Sequence, residues 1–148
     1  MEADTIREMS RVMELYAGNP SSVYWEGQQA ARIVQQSREK IAVAIDGSFK
    51  NLYFTGSGSE SACQAIISAA MAGAREGKKH LIASAIEHAC VIRTLEYLSL
   101  QGFTYTLIPV DDQGLLRLEQ LEKAITNETC LVSVMLVNNE IGSIQDVR

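Results

Sequence analysis

Short apolar segments alternate with longer helix-like segments through most of the chain, and this alternation limits the fold more than any other feature. The apolar segments are Leu52–Phe54 and the runs HLIASA, FTYTLIPV and CLVSVMLV. Helical periodicity follows them, and it predicts helices from about Ala62 to Arg75, from about Ala89 to Ser99 and over LEQLEKAI. Strands and helices in this alternation predict an α/β fold with a mostly parallel sheet and flanking helices.

The first part of the chain predicts two further helices. Ile6, Met9, Met13 and Tyr16 recur at helical spacing before the stop signal AGNP, and a second helix is expected from about Tyr24 to Ala44. DGSFK then predicts a turn. Because no repeat or low-complexity linker interrupts the 148 residues, we expect a single domain over 1–148.

Charge and cysteine content narrow the class of protein. The formal net charge is -5 and no basic block is present, which argues against a nucleic acid or an anionic membrane surface as partner. MEADTIREMS has no signal-peptide pattern, and CLVSVMLV is too short to cross a bilayer. Cys63, Cys90 and Cys130 are isolated, so we expect structural thiols in buried positions, no metal site and a cytoplasmic location.

The turn FTGSGSES separates the first predicted strand from the following helix. A helix N-terminus carries unpaired N–H groups and about half a positive charge, which suits a phosphate. Gly56 and Gly58 would let the backbone approach an anion closely. The hydroxyl groups of the turn belong to Thr55, Ser57, Ser59 and Ser61. The alternative is a tight connection in which a Ser caps the helix.

A dinucleotide is one candidate for that phosphate. Gly56, Gly58 and Ser61 fit the pattern G-x-G-x-x-small, and Glu87 follows the next strand, where an acidic residue would bind a ribose. Against this, Glu60 places a carboxylate in the turn, and Glu87 lies roughly 30 residues on, later than the usual ~20. A small dinucleotide-binding domain therefore stays open as an alternative.

Four motifs together are more specific than this fingerprint. GNPSSVYWEG, FTGSGSES, IEHACV and NNEIGSIQ occur in an order and spacing that resemble the cysteine desulfurases, which are pyridoxal-phosphate enzymes of the class V aminotransferase family. The resemblance covers nearly all of the chain. It implies part of the large, cofactor-binding domain of a fold-type I transferase, in an enzyme that converts L-cysteine to alanine and keeps the sulfur as a persulfide.

The resemblance assigns roles to four residues. It implies that Gly58 and Ser59 hold the phosphate of pyridoxal phosphate, and that Asn139 contacts its 3-hydroxyl. It also implies that His88 stacks on the pyridine ring and passes protons, which makes it the catalytic candidate. Tyr24 stands where the family has a His, so no role is carried over to that position.

Other residues near these motifs are expected to be structural. The resemblance implies that Asn138, Glu140 and Gly142 shape the loop around Asn139. His80 lies at the other end of the strand that precedes His88, and we expect it on the surface.

Several catalytic parts that the family uses have no match in this chain. They are the Lys that binds the cofactor covalently, the Asp that pairs with the pyridinium nitrogen and the Cys that accepts sulfur. We therefore expect a fragment that is inactive alone, with a homo-oligomeric or complementing chain as partner. A non-catalytic self-association or assembly module is the alternative from another class.

Overall fold

The structure is a computed structural model that describes residues 1–147, and its helices and strands alternate over the second part of the chain. In chain order the elements are α1 (Ala3–Leu15), α2 (Trp25–Ala44), α3 (Gly58–Arg75), β1 (His80–Ser84), α4 (Ala89–Leu100), β2 (Thr104–Ile108), α5 (Leu118–Ala124) and β3 (Thr129–Ser133). They belong to two compact units, one covering Met1–Phe54 and the other starting at Thr55.

The first unit is helical and confirms both helices predicted there. α1 buries none of its residues, whereas α2 buries Gly27, Ala30 and Ala42. A short 3-10 segment at Phe49–Asn51 follows α2. None of the helices within residues 1–147 has the length and apolarity that crossing a membrane requires.

The second unit contains a parallel sheet with the strand order β2-β1-β3. β1 runs beside β2 from the pair His80 and Thr104 to the pair Ser84 and Ile108. β1 also pairs with β3, with one irregularity after His80. Each connection between parallel neighbours contains a helix, which is the usual form of the long crossover that parallel pairing requires. The predicted α/β class with a mostly parallel sheet and flanking helices is confirmed.

The core of this unit lies around β1. Leu81 and Ala83 are 0% exposed, as is Leu95 on α4. Ile66 and Ala70 of α3 pack in the same cluster. β1 is thus a central strand held rigidly by apolar contacts, and its carboxyl end is a fixed point from which residues 85–88 emerge.

One predicted strand is wrong. Leu52–Phe54 belongs to no strand, and Tyr53 and Phe54 are 76% and 50% exposed. The Leu52 carbonyl instead accepts a hydrogen bond from the Arg38 guanidinium at 3.2 Å. A segment of residues with high strand propensity forms a strand only where another strand is available to pair with it. This segment pairs with no strand within residues 1–147.

The predicted placement of His80 on the surface is also wrong. Its ring is half-buried, with Nδ1 2.8 Å from the Thr129 hydroxyl and Nε2 2.9 Å from the Thr106 hydroxyl. The imidazole therefore connects β1 to both neighbouring strands. A ring with a polar atom on each side suits this central position, which the sequence order alone does not reveal.

A Gly at the end of α3 allows the helix to pack closely on β3. A Cβ at Gly73 would overlap the Cβ of Cys130 and lie 2.8 Å from its Sγ. We predict that Gly73→Ala lowers the free energy of unfolding by about 1–3 kcal/mol, because the two elements must separate. Gly58→Ala is the matched control on the same helix, since a Cβ there meets nothing within 4 Å. Urea denaturation that ranks the two variants equally would contradict this packing.

Candidate cofactor site

The turn before α3 is organised by a cap that involves Ser57 and Glu60. Ser57 is the N-cap residue, and its Oγ accepts a hydrogen bond from the Glu60 N–H at 3.1 Å. The Glu60 carboxylate reaches back and accepts the Gly56 N–H at 2.7 Å. This reciprocal pair resembles a capping box. It confirms that a Ser caps the helix, and it commits the Glu60 carboxylate to the chain before the helix.

Gly58 and Ser59, the two residues after the cap, have hydrogen-bond donors that are available to a ligand. Gly58 and Ser59 are exposed, and within residues 1–147 their backbone N–H groups and the Ser59 hydroxyl have no hydrogen-bond partner. The first N–H groups of a helix lie at the positive end of its dipole. The space beside Gly58 is open as well. The residues present therefore fit an anionic group such as the phosphate of the implied cofactor.

His88 directly precedes α4 and caps the helix with its own ring. Its Nδ1 accepts a hydrogen bond from the Cys90 N–H at 3.1 Å. The neutral imidazole must then carry its proton on Nε2. His88 is exposed, and its Nε2 makes no hydrogen bond within the described part of the chain. The cap fixes how the ring is oriented and leaves one nitrogen for a ligand.

Asn139 lies in a tight loop after β3 that depends on its neighbour Asn138. The Asn138 Oδ1 accepts the N–H groups of Glu140 and Ile141 at 2.9 and 3.0 Å. The loop closes through Gly142, whose φ of +72° favours glycine. Asn138 is buried and Asn139 is exposed. The predicted loop-shaping role of Asn138 is confirmed. Asn139 lies on the surface, and its side-chain amide has no hydrogen-bond partner among residues 1–147.

Two cavities connect the predicted site residues. One of about 530 Å³ is lined by Gly58, Ser59 and His88, among others. A second, of about 380 Å³, is lined by His88 and Asn139. His88 therefore faces the helix turn on one side and the Asn139 loop on the other. Asn139 does not line the first cavity.

Sequence reasoning missed the contribution of the segment after β3. Ser133, Val134 and Met135 line the larger cavity opposite the helix turn. Val134 and Met135 fall in the predicted strand CLVSVMLV, but the observed strand ends at Ser133. The backbone that turns away after Ser133 forms this wall. The only sequence signal was the nearby NNEIG motif.

Glu87 has a different environment from the one that a dinucleotide site needs. Its Oε1 accepts hydrogen bonds from the Ser84 hydroxyl at 2.8 Å and from the Met135 N–H at 2.6 Å. The carboxylate is half-buried and already committed to the protein. Gly56, the first glycine of the fingerprint, has its N–H bound by Glu60. Both groups that the dinucleotide alternative requires are thus engaged.

The three cysteines are half-buried rather than fully buried as predicted. Cys63 accepts a hydrogen bond from the Thr94 hydroxyl at 3.1 Å, and Cys130 donates to the His80 carbonyl at 3.4 Å. Burial raises the pKa of the Cys130 thiol. Cys90 lines the cavity beside His88. Helix ends and sheet edges exclude less water than the central core, which explains the partial exposure.

The two serines of the turn offer a matched test of this geometry. We predict that Ser57→Ala lowers the free energy of unfolding by about 1 kcal/mol, because the Glu60 N–H loses its cap. Ser59→Ala removes a hydroxyl that has no partner and should change stability by less than about 0.5 kcal/mol. Thermal or urea unfolding of both variants measures this difference. An equal loss in the two variants would mean that the cap is not the stabilising contact.

Comparison with known proteins places this chain in a family. The model of the family Aminotransferase class-V matches residues 2–148. The chain belongs to the class V aminotransferase family, and the resemblance predicted from the four motifs is confirmed.

Similar curated proteins include cysteine desulfurases. The chain is 42% identical over 143 residues to cysteine desulfurase IscS 1 of Archaeoglobus fulgidus, covering 97% of this chain and 37% of that protein. It is 37% identical over 145 residues to cysteine desulfurase IscS of Clostridium botulinum, covering 98% of this chain and 36% of that protein. The chain thus spans a little more than a third of the length of these relatives.

Solved structures agree in fold. A NifS-like protein superposes with a TM-score of 0.92 at 34% identity, covering 99% of this chain and 40% of that chain. DndA from Streptomyces lividans superposes with a TM-score of 0.89 at 34% identity, covering 99% of this chain and 41% of that one. SspA, solved in complex with cysteine, superposes with a TM-score of 0.88 at 35% identity, covering 99% of this chain and 42% of that one.

Proposed function

We propose that this chain forms the part of a pyridoxal-phosphate-dependent cysteine desulfurase that holds the phosphate and ring of the cofactor. One observation carries the proposal. A single cavity is lined by Gly58 and Ser59, whose N–H groups are open, and by His88, whose ring caps α4. The chain that forms this cavity belongs to the class V aminotransferase family. In this proposal the chain belongs to one incomplete cofactor-binding domain.

The phosphate half of the site is the start of α3. Gly58 and Ser59 would donate their backbone N–H groups, and Ser59 would add its hydroxyl. Ser57 caps the helix by accepting a hydrogen bond, so its O–H proton could still be donated to a ligand. In this proposal the main donors to the anion are the two residues that follow the cap.

The ring half of the site belongs to His88 and Asn139. The flat imidazole of His88 would cover one face of the pyridine ring, and its Nε2 would hold or release a proton. The Asn139 amide would donate a hydrogen bond to the 3-oxygen without adding charge. Pyridoxal phosphate, when bound, supplies an electron sink for a substrate carbanion.

The complete reaction needs groups that do not line this cavity. None of the residues that line it is a Lys, and the ionisable side chains among them are Glu87, His88 and Cys90. We propose that the covalent Lys, the pyridinium-pairing Asp and the sulfur-accepting Cys come from other polypeptide, either further sequence or a second chain. L-cysteine as substrate, a homodimeric enzyme and a cytoplasmic location belong to the same proposal.

A non-catalytic association module is a second candidate, and one feature favours it. An apolar cavity of about 520 Å³ lies where α5 meets the segment after β3. Among its lining residues, Leu118 is 62% exposed and Ile144 is 65% exposed. Apolar side chains this open are typical of surfaces that another polypeptide covers. Concentration-dependent self-association that persists without pyridoxal phosphate would favour this candidate.

The primary test is an absorption titration of the purified chain with pyridoxal phosphate. We predict saturable binding that weakens about tenfold or more in His88→Asn, equivalent to about 1.4 kcal/mol. Asn is a good helix N-cap residue, so this variant keeps the cap on Cys90 and removes only the aromatic ring. Ser59→Ala should also weaken binding, since it removes a phosphate donor.

Two controls make the titration decisive. Free pyridoxal lacks the phosphate, and its binding should depend on His88 but not on Ser59. Circular dichroism of His88→Asn should show unchanged helix content. Saturable binding that is equal in wild type and both variants would contradict the proposed site.

A further inference from the structure

Two side chains join the segment after β1 to the segment after β3. Glu87 accepts the Met135 N–H at 2.6 Å, and Asn138 donates from Nδ2 to the Ile86 carbonyl at 2.8 Å. Each of them directly precedes a candidate ligand residue in the sequence, since Glu87 is followed by His88 and Asn138 by Asn139. One of the two side chains comes from each segment, and in both contacts the donor lies on the segment after β3.

Backbone pairing does not hold these segments together. The ladder between β1 and β3 ends at the pair Ala83 and Ser133. Within the described residues, no backbone hydrogen bond joins residues 85–88 to residues 134–139. The Glu87 and Asn138 side chains therefore replace the ladder where the strands separate and the cavities begin.

Both side chains are also anchored on their own segment. The Ser84 hydroxyl, which is 1% exposed, donates to the same Glu87 oxygen at 2.8 Å. Asn138 is 7% exposed and accepts two N–H groups from its own loop. A polar group buried this deeply is costly to leave without a partner, so the contacts are strongly maintained.

We infer that Glu87 and Asn138 are positioning residues that fix the separation between His88 and Asn139. This inference rests on the proposed function, in which those two residues bind the cofactor ring. Glu87 also lines the larger cavity, but in this inference Glu87 and Asn138 act through their neighbours His88 and Asn139. The phosphate donors Gly58 and Ser59 lie on α3, outside the two linked segments. The contacts of Glu87 and Asn138 between the two segments, here called the brace, therefore govern how the cofactor ring is held and leave phosphate binding unchanged.

The chain offers a matched pair of variants for Glu87. Glu87→Gln keeps an acceptor oxygen in place of Oε1 and removes the charge. Glu87→Ala removes the acceptor and frees the Ser84 hydroxyl and the Met135 N–H. If ring binding depends on the acceptor oxygen at residue 87 and not on its charge, Glu87→Gln should bind the cofactor like wild type and Glu87→Ala should not.

Three measurements on each purified full chain test the inference. We expect Glu87→Ala to weaken pyridoxal phosphate binding about tenfold, which corresponds to the loss of one to two buried hydrogen bonds. It should also reduce the induced circular dichroism of the bound chromophore. Titration with inorganic phosphate, followed by the amide resonances of Gly58 and Ser59, should stay within about twofold of wild type. Glu87→Gln should stay within about threefold of wild type in cofactor binding, induced circular dichroism and phosphate binding.

A second variant covers the case in which Glu87→Ala unfolds. Asn138→Asp retains the two loop contacts at Oδ1 and replaces the donor to the Ile86 carbonyl with an oxygen. It should show the same loss of ring binding with intact phosphate binding. If Glu87→Ala and Asn138→Asp bind the cofactor like wild type, or if Glu87→Gln loses as much as Glu87→Ala, the inference is wrong.

Hydrogen exchange separates this inference from the proposed function. The Met135 amide should exchange at least about tenfold faster in Glu87→Ala than in wild type and stay protected in Glu87→Gln, whether or not any cofactor binds. If wild type binds no pyridoxal phosphate, the proposed function fails. Protection of the Met135 amide from exchange in wild type would then still support the contact between Glu87 and Met135. An unprotected Met135 amide in wild type would overturn it.

Discussion

Burial of the central strand is the constraint on which the second unit depends. Leu81, Ile82 and Ala83 are at most 1% exposed, because helices pack on β1 and parallel strands flank it. A strand covered in this way cannot shift its register without moving its apolar side chains out of the core. The point at which the chain leaves the sheet is therefore set by packing, and residues 85–88 inherit their position from it.

The candidate site consists largely of chain ends and caps. α3 contributes its first N–H groups, α4 contributes a residue that serves as its own cap, and the segment after β3 contributes a wall and a loop. In open α/β sheets these features converge at the carboxyl ends of the strands. The candidate phosphate donors are backbone N–H groups and one short hydroxyl, so no long side chain has to reach the anion in that half of the site. Small residues such as Gly58 and Ser59 suffice.

Much of the fold was predictable from the sequence, since the periodicity of α3, β1 and α4 reflects real burial. The failed strand at Leu52–Phe54 shows the limit, because strand composition does not reveal whether a neighbour is available. The motifs located the candidate ligand residues, but the contacts of Glu87 and His80 depend on residues about 50 positions away. Such contacts follow from the three-dimensional register of the sheet, which no local pattern encodes.

The two helix starts at the larger cavity have a consequence for how it attracts ligands. Neither Lys nor Arg is among the residues that line this cavity, so the fixed positive partial charges there are those of the peptide dipoles at the starts of α3 and α4, beside the side chains of Glu87 and His88. Peptide dipoles do not titrate. The part of the attraction for an anion that the helix starts supply is therefore built into the backbone, and it varies with the charge state of the incoming ligand rather than with that of the helix.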